Sequence, residues 1–293
     1  MRWKPLNNAL IAELLKVRKR WMPYVLFILL LIGAAVIVWL FGYVGWTDEE
    51  DPEFKQNNLR SFLLPWSIPA LLDTGQFWGT AMFVSILTAS TVATEYSWGT
   101  VRQALMRGQT RSQYLAVKLL CLTIVCSVAL LLVFAVGVAF SVGATAAADL
   151  PITLDVPGGP SVPEIGLMVL RAAMGILPYG LLAFCLTVVG RSTALGFGGT
   201  IGYMFGEGIL VAILGGIGGI AEGVRPFFIG HNVSSLMAAN RIGTLDYNSI
   251  APRELPIASE LPDVWVATLV LAVWCVAFLA IAFAVFRRRD VGT

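Results

Sequence analysis

Six long apolar runs govern what this chain can fold into. They cover residues of about 22–46, 76–94, 114–143, 164–190, 192–222 and 264–286, each close to or beyond the roughly 20 residues a helix needs to cross a bilayer. In hydrocarbon no water meets the backbone N–H and C=O groups, so only helices or a closed barrel satisfy them. A barrel would show alternating segments of about ten residues, which this sequence lacks. Composition agrees, with 57% of 293 residues hydrophobic and 13% charged, against roughly 45–50% apolar in soluble domains. The expected fold is all-α: a polytopic membrane protein with one transmembrane domain over residues 1–293. It has six transmembrane helices, an N-terminal interfacial amphipathic helix over 1–21, and a re-entrant or extracellular helical segment between spans five and six.

Charge sets the expected orientation. Arg2, Lys4, Lys16, Arg18, Lys19 and Arg20 precede the first run; Arg102, Arg107, Arg111 and Lys118 lie between or beside runs two and three; Arg191 and the terminal Arg287, Arg288 and Arg289 complete the set. In a six-span chain these all fall on one side, which the excess of basic residues marks as cytoplasmic. The opposite loops hold the acids, among them Asp48, Glu49, Glu50, Asp51, Asp149, Asp155, Asp246 and Glu254. A multi-pass protein of the plasma (inner) membrane follows, with both termini in the cytoplasm. The formal net charge of +2 hides this asymmetry and gives no reason to expect nucleic acid as a partner. Cys121, Cys126, Cys185 and Cys275 lie within the runs and read as small apolar fillers, and no metal-ligand spacing is present.

The stretch before the first run carries Leu6, Leu10, Leu14 and Val17 on one stripe and Lys16, Arg18, Lys19 and Arg20 at its end. Such a helix should lie in the interface, with its cations on anionic headgroups. A cleaved signal peptide is disfavoured, because the following run is too long and lacks a small-residue cleavage site. Residues 62–72 are apolar but interrupted by Pro65 and Pro69, which suits an interfacial segment rather than a crossing.

The fifth run is rich in glycine: 13 of the chain's 29 glycines lie between Gly190 and Gly230. Gly198, Gly202 and Gly206, then Gly215, Gly219 and Gly223, recur every four residues, a spacing that lets helix backbones approach closely. The run also exceeds one crossing, so a break near Gly215 and Gly216 is expected. Close helix contact at a dimer axis and ordinary packing within one chain both fit. Glu207 lies inside this run, and an intramembrane carboxylate is by default a functional candidate; a carboxyl bonded to a neighbouring helix is the plainer alternative. Arg171 in the fourth run is its candidate partner, with outward snorkelling as the alternative. Beyond the run, residues 227–242 suggest a short amphipathic or re-entrant helix, and His231, the only histidine, reads as a surface or capping residue.

One polar, basic segment, residues 94–118, stands between two of these runs. Thr94 or Ser97 suits a helix start, Glu95 a place near a positive helix end, and Gly108 a helix stop. Thr110 and Gln113 have capping-box spacing for the next helix. A capped helix of about ten residues should therefore cross the cytoplasmic face, presenting Arg102, Gln103, Met106 and Arg107 along one side.

At these residues the sequence resembles a family. Glu95, Gly99 and Thr100, then Thr110 with Arg111, then Lys118 look like the E-x-x-x-G-T, helix, Thr-Arg, Lys pattern of type-2 ABC transporter permeases, the exporter-type transmembrane subunits. The layout of interfacial helix, six spans and motif between spans two and three is similar too. The resemblance implies a homodimer, or a pair with a paralogue, surrounded by membrane lipid and bound to a cytoplasmic ABC ATPase subunit. Residues 95–113 would then be the coupling segment, with Glu95, Gly99, Thr100, Arg102, Gln103, Met106, Arg107, Arg111 and Lys118 docking the ATPase, and Gly198, Gly202, Gly206 and Glu207 in the pathway or helix packing. No G-x-x-x-x-G-K-[ST] phosphate loop occurs, so the chain is expected to be no enzyme and to hold no cofactor, with ATP and magnesium on the partner subunit. An intramembrane enzyme would need a second acid, serine or histidine facing Glu207. A secondary carrier working without ATP would favour inverted repeats with broken helices in both halves, whereas only the second half shows a break; a non-transporting membrane module also stays open.

Overall fold

The computed structural model describes residues 4–35, 63–74, 80–147, 149, 151–154, 159–217, 219–241 and 261–288. The ordered elements among them are helices: α1 (Lys4–Arg18), α2 (Trp21–Ala35), α3 (Ser67–Thr74), α4 (Ala81–Ser97), α5 (Thr100–Met106), α6 (Arg111–Ala147), α7 (Val162–Gly190), α8 (Gly199–Ile217), α9 (Ile229–Arg241) and α10 (Val264–Arg288). A π-helical turn, Ala194–Gly198, leads into α8, and a 3-10 segment, Gly219–Phe227, follows it. No strand occurs among the described residues.

Among the described residues four helices are long and apolar enough to cross a bilayer: α6, α7, the continuous Ala194–Leu214 stretch and α10. They correspond to four of the six apolar runs. Within the described residues α2 and α4 span 15 and 17 residues, short of the roughly 20 needed. The remainder of the first run, the acidic stretch after it and residues 242–260 lie outside the described residues.

α7 is the most enclosed of the four; it packs against α10 and α4 and meets α9 and α3 as well. Its start is fixed by a capping box, in which the Ser161 N–H donates to Glu164 Oε2 at 2.7 Å. α4 is the other interior helix, and its buried hydroxyls turn back on their own backbone: Ser85 donates to the Ala81 carbonyl at 2.7 Å and Ser90 to that of Leu87 at 3.1 Å. Such back-bonding satisfies a polar side chain without a partner helix. The outward faces carry large exposed apolar side chains, including Leu131, Leu170, Ile209, Leu269 and Val276, a surface suited to lipid.

α3 is an eight-residue helix, too short to cross. It is tucked against α6, α7 and α9, with Ile68 and Leu72 buried beside Met168 and Ala172. The fifth run breaks where its glycines cluster, since α8 ends at Ile217. Its glycine stripe differs from simple packing within the chain. A Cβ built on Gly198, Gly202 or Gly206 meets nothing within 4 Å, so in one copy this face is open. The close approach falls on Gly196 instead, where a Cβ would lie 1.9 Å from Thr187 Oγ1 and 3.0 Å from Ala89 Cβ. The π-turn presses there on α7 and α4.

Overpacking at such a contact costs about 1–3 kcal/mol. Gly196→Ala should therefore lower the unfolding temperature of the detergent-solubilised chain, measured by intrinsic fluorescence. Gly208→Ala, on the same helix and with nothing within 4 Å, should leave it unchanged or slightly raised.

Candidate functional site

Among the described residues, the end of the bundle where α4 hands over to α6 holds a dense set of charged side chains. α4 closes at Ser97, whose hydroxyl donates to the Thr94 carbonyl at 2.9 Å, while Thr94 donates back to Ser90. Thr94 and Ser97 thus finish a helix rather than start one, a reversal of the expectation from sequence. The start of α5 falls to Gly99, whose φ of +66° is a left-handed conformation that glycine adopts without strain. Gly108, at φ +90°, ends the turn after α5, as its position suggested. The α6 capping box is present: Gln113 N–H donates to Thr110 Oγ1 at 3.3 Å and Thr110 N–H to Gln113 Oε1 at 3.1 Å.

α5 is shorter than expected, seven residues, and it buries Val101 while leaving Arg102, Gln103, Met106 and Arg107 exposed. Trp98 beside it is 68% exposed and carries the guanidinium of Arg20 over its ring at 5.5 Å. The handover thus offers two arginines, a glutamine, a methionine and an indole to whatever lies beyond it.

Behind that exposed face, four ionised side chains close a ring. Lys118 sits 2.8 Å from Glu95 Oε1 and also pairs with Glu13 Oε2; Lys16 lies 3.1 Å from Glu95 Oε1 and pairs with Glu13 Oε1. Each carboxylate therefore bridges both ammoniums, and two negative charges balance two positive ones. The Tyr114 hydroxyl donates to the remaining Glu95 oxygen. Lys118 side-chain exposure is 1% and that of Glu95 is 3%, so these charges are held away from water. Burial alone would raise the Glu95 carboxyl, which lies beyond the apolar run, but the Lys118 ammonium holds it below its ordinary value. Burial alone would lower Lys16, and the hydrogen bond to Glu13 with the charge of Glu95 raises it instead. The Glu95 contribution to stability is therefore present at neutral pH and lost as pH falls through its depressed value; that of Lys16 is lost as pH rises through its elevated one.

The ring ties three elements together: Glu13 and Lys16 come from α1, Glu95 from α4, Tyr114 and Lys118 from α6. A fourth is attached beside it, because Tyr114 stacks on Phe286 with centroids 5.7 Å apart and Arg111 Nη1 donates to the Arg287 carbonyl at 2.7 Å. Of the residues singled out from sequence, Glu95 and Lys118 meet directly. Glu95 serves this ring rather than a helix end, and Lys16 turns inward instead of serving only a headgroup surface. Glu13 and Tyr114 were missed. The signal for Glu13 was its spacing: it sits three residues after Leu10 and four before Val17, the only acid on an apolar stripe.

Glu207 lies elsewhere, on α8. Its Oε1 accepts the Gly230 N–H and, at 3.2 Å, the His231 N–H, while the Tyr203 hydroxyl accepts that of Ile229 at 3.3 Å. Phe228 N–H reaches the Arg225 carbonyl at 3.2 Å. All four unpaired donors at the start of α9 are thereby satisfied. Arg171 does not pair with Glu207 as expected; its Nη1 donates to the Ala239 carbonyl at 3.1 Å and to Asn240 Oδ1 at 3.3 Å, at the opposite end of the same helix. His231 is 5% exposed, buried rather than at the surface. Among the described residues no group of three or more His, Cys, Asp or Glu gathers at metal-binding distance.

A family model described as "Protein of unknown function (DUF2705)" matches residues 56–292, most of the chain, and the chain belongs to that family. No curated protein matches it.

Breaking a buried ion pair from one side costs about 3–5 kcal/mol, because the partner charge stays buried. Lys118→Met should therefore strongly destabilise the solubilised chain, and the double change Lys118→Met with Glu95→Gln should recover part of the loss in a double-mutant cycle of unfolding temperatures. Independently, Glu207→Ala should expose the first turn of α9, seen as faster amide hydrogen exchange over residues 229–232. Glu207→Gln keeps an acceptor oxygen and should exchange nearly as slowly as the parent.

Proposed function

We propose that this member of the DUF2705 family is the transmembrane permease subunit of an ATP-driven ABC exporter. In this reading a separate cytoplasmic ATPase docks on α5 and its movement passes through the charged ring into α4 and α6. One observation carries it: a seven-residue helix with an exposed Arg102, Gln103, Met106, Arg107 face lies between α4 and α6, whose adjoining ends are tied by Glu95 and Lys118 to each other and to α1. A helix of seven residues, joined to α4 through Trp98 and Gly99 and to α6 through residues 107–110, is too short to absorb a push by bending along its length. Buried ion pairs resist separation, so a displacement of α5 is passed on rather than dissipated.

The remaining features fit the same arrangement. α2 and α4 would be completed as spans one and two, giving six spans with both termini on the cytoplasmic side of the plasma membrane. α9 would be the re-entrant outer segment. The open glycine face of α8 supports pairing with a second copy or a paralogue, since small residues every four positions favour close contact between membrane helices. ATP and magnesium would belong to the partner.

Arg102→Glu combined with Arg107→Glu reverses the charge of the exposed face without touching the ring. Membrane insertion should be unchanged, whereas an ATPase that co-purifies with the parent chain from native membranes should be lost and its stimulated turnover with it. Retention of the full coupled turnover by the double variant would refute the docking role of α5.

A further inference from the structure

One cavity takes no part in the site above. It has a volume of about 860 Å³ and lies between α4, α6, α7 and α10. Its walls are aliphatic and aromatic, with Leu122, Leu130, Met174, Ile176, Leu181 and Phe184 among them. Roughly 300–1,000 Å³ is the range of pockets that bury a ligand of drug size. It opens sideways, because its lining includes Leu167, Leu170 and Trp265, which are 45%, 65% and 82% exposed. These are apolar groups on the flanks of α7 and α10, two of the helices long enough to cross a bilayer, so the opening faces hydrocarbon.

The cavity has one cationic group, Arg171. It stands nine residues into α7, about 13 Å from the helix start at 1.5 Å per residue. Its hydrogen-bond partners, the Ala239 carbonyl and the Asn240 amide, are both uncharged and both served by Nη1. A guanidinium has five N–H donors in a planar fork, and among the described residues none of the others has a hydrogen-bond acceptor and no carboxylate forms an ion pair with it. Asp263 also lines the cavity, but its Oδ1 is engaged in capping α10, accepting the Trp265 N–H at 2.9 Å. A cation so deep in an apolar helix normally pairs with an anion or lines a polar path. Here it faces an apolar cavity that is open to lipid, with its fork uncommitted.

We infer that this cavity binds a membrane-resident amphiphile with a single anionic headgroup, its acyl chain along the wall from Leu122 to Phe184 and its anionic oxygens on the Arg171 guanidinium. The planar fork matches phosphate or carboxylate oxygens two at a time. Thr123 and Ser127, one turn apart on α6 and also in the lining, border the chain and offer hydroxyls to a linkage ester. The inference does not depend on an ATPase partner.

The test uses the full chain in dodecyl maltoside, with palmitoyl-oleoyl phosphatidylglycerol as the probe and the phosphatidylcholine of the same chains as its comparison, read by native mass spectrometry. The parent should retain one phosphatidylglycerol per chain through detergent exchange and at least tenfold less phosphatidylcholine. Arg171→Gln should abolish that preference and Arg171→Lys should keep most of it. Ser127→Trp, at an exposed position on α6, fills the cavity and should remove the lipid with no change in unfolding temperature, so the proposal remains testable if Arg171→Gln misfolds. Equal retention of both lipids by the parent, or retention unchanged in Ser127→Trp, would overturn it. Displacement by millimolar glycerol phosphate would also overturn it, since a headgroup without an acyl chain should not compete.

Discussion

The closed ring of Glu13, Lys16, Glu95 and Lys118 is the constraint on which the junction end of this structure depends. Between lipid-exposed helices the hydrophobic effect gives little preference, because a neighbouring helix is no more apolar than an acyl chain. Specific joins must come from packing and from polar groups. The ring supplies such a join among α1, α4 and α6, and its geometry suits the task. Each carboxylate spans both ammoniums, so no single element can shift without unpairing two charges at once. The ring is neutral overall and one of its ammoniums, Lys16, keeps 45% of its side chain exposed, which is why the buried Lys118 and Glu95 are tolerated where one charge alone would be expelled.

A second join works by the helix dipole. α9 is short and rich in buried polar side chains, His231, Asn232, Ser235 and Asn240, and would be poorly stable alone. Its start faces a carboxylate from α8 and its end an arginine from α7. Negative charge at a helix start and positive charge at its end both favour the dipole, so α9 is held by two helices from opposite directions. Ser235 adds a third tie, its hydroxyl donating to the Pro262 carbonyl at 2.6 Å just before α10 begins. α9 is therefore an integral part of the bundle, packed on α7 and α10.

The helical class, the break in the fifth run and the boundaries of α7 and α10 were readable from the sequence because they follow from local rules: apolar length, glycine clustering and capping spacing. The Thr110–Gln113 box is local in the same sense. Glu95 and Lys118 were visible as motif positions, but their meeting was not, since it depends on α1 supplying Glu13 and Lys16 from 79 to 105 residues away. Thr94 and Ser97 were misjudged for a related reason: a hydroxyl near a helix end serves either a start or a stop, and only the left-handed Gly99 decides which. The pairing of Arg171 and Glu207 was the natural inference from two opposite charges in adjacent spans. It failed because a backbone terminus competes for a carboxyl or guanidinium group as effectively as a second side chain, and α9 offers one terminus to each.

That competition also separates Glu207 from Arg171. Glu207 meets donors enough to satisfy one oxygen fully, and the residue against it, Gly230, has no side chain to intervene; a Cβ there would lie 2.8 Å from Glu207 Oε1. The carboxylate is thus enclosed by backbone and tyrosine, a position that fixes helices. Arg171 uses one nitrogen on α9 and directs the rest of a planar group toward open volume. A charge that only fastened α9 would need no cavity beside it, and a cavity that served only as a packing defect would need no charge. The coincidence of the two, on a helix otherwise enclosed by α4, α9 and α10, sets Arg171 apart from the structural charges of this bundle and makes it the one best placed to meet a ligand.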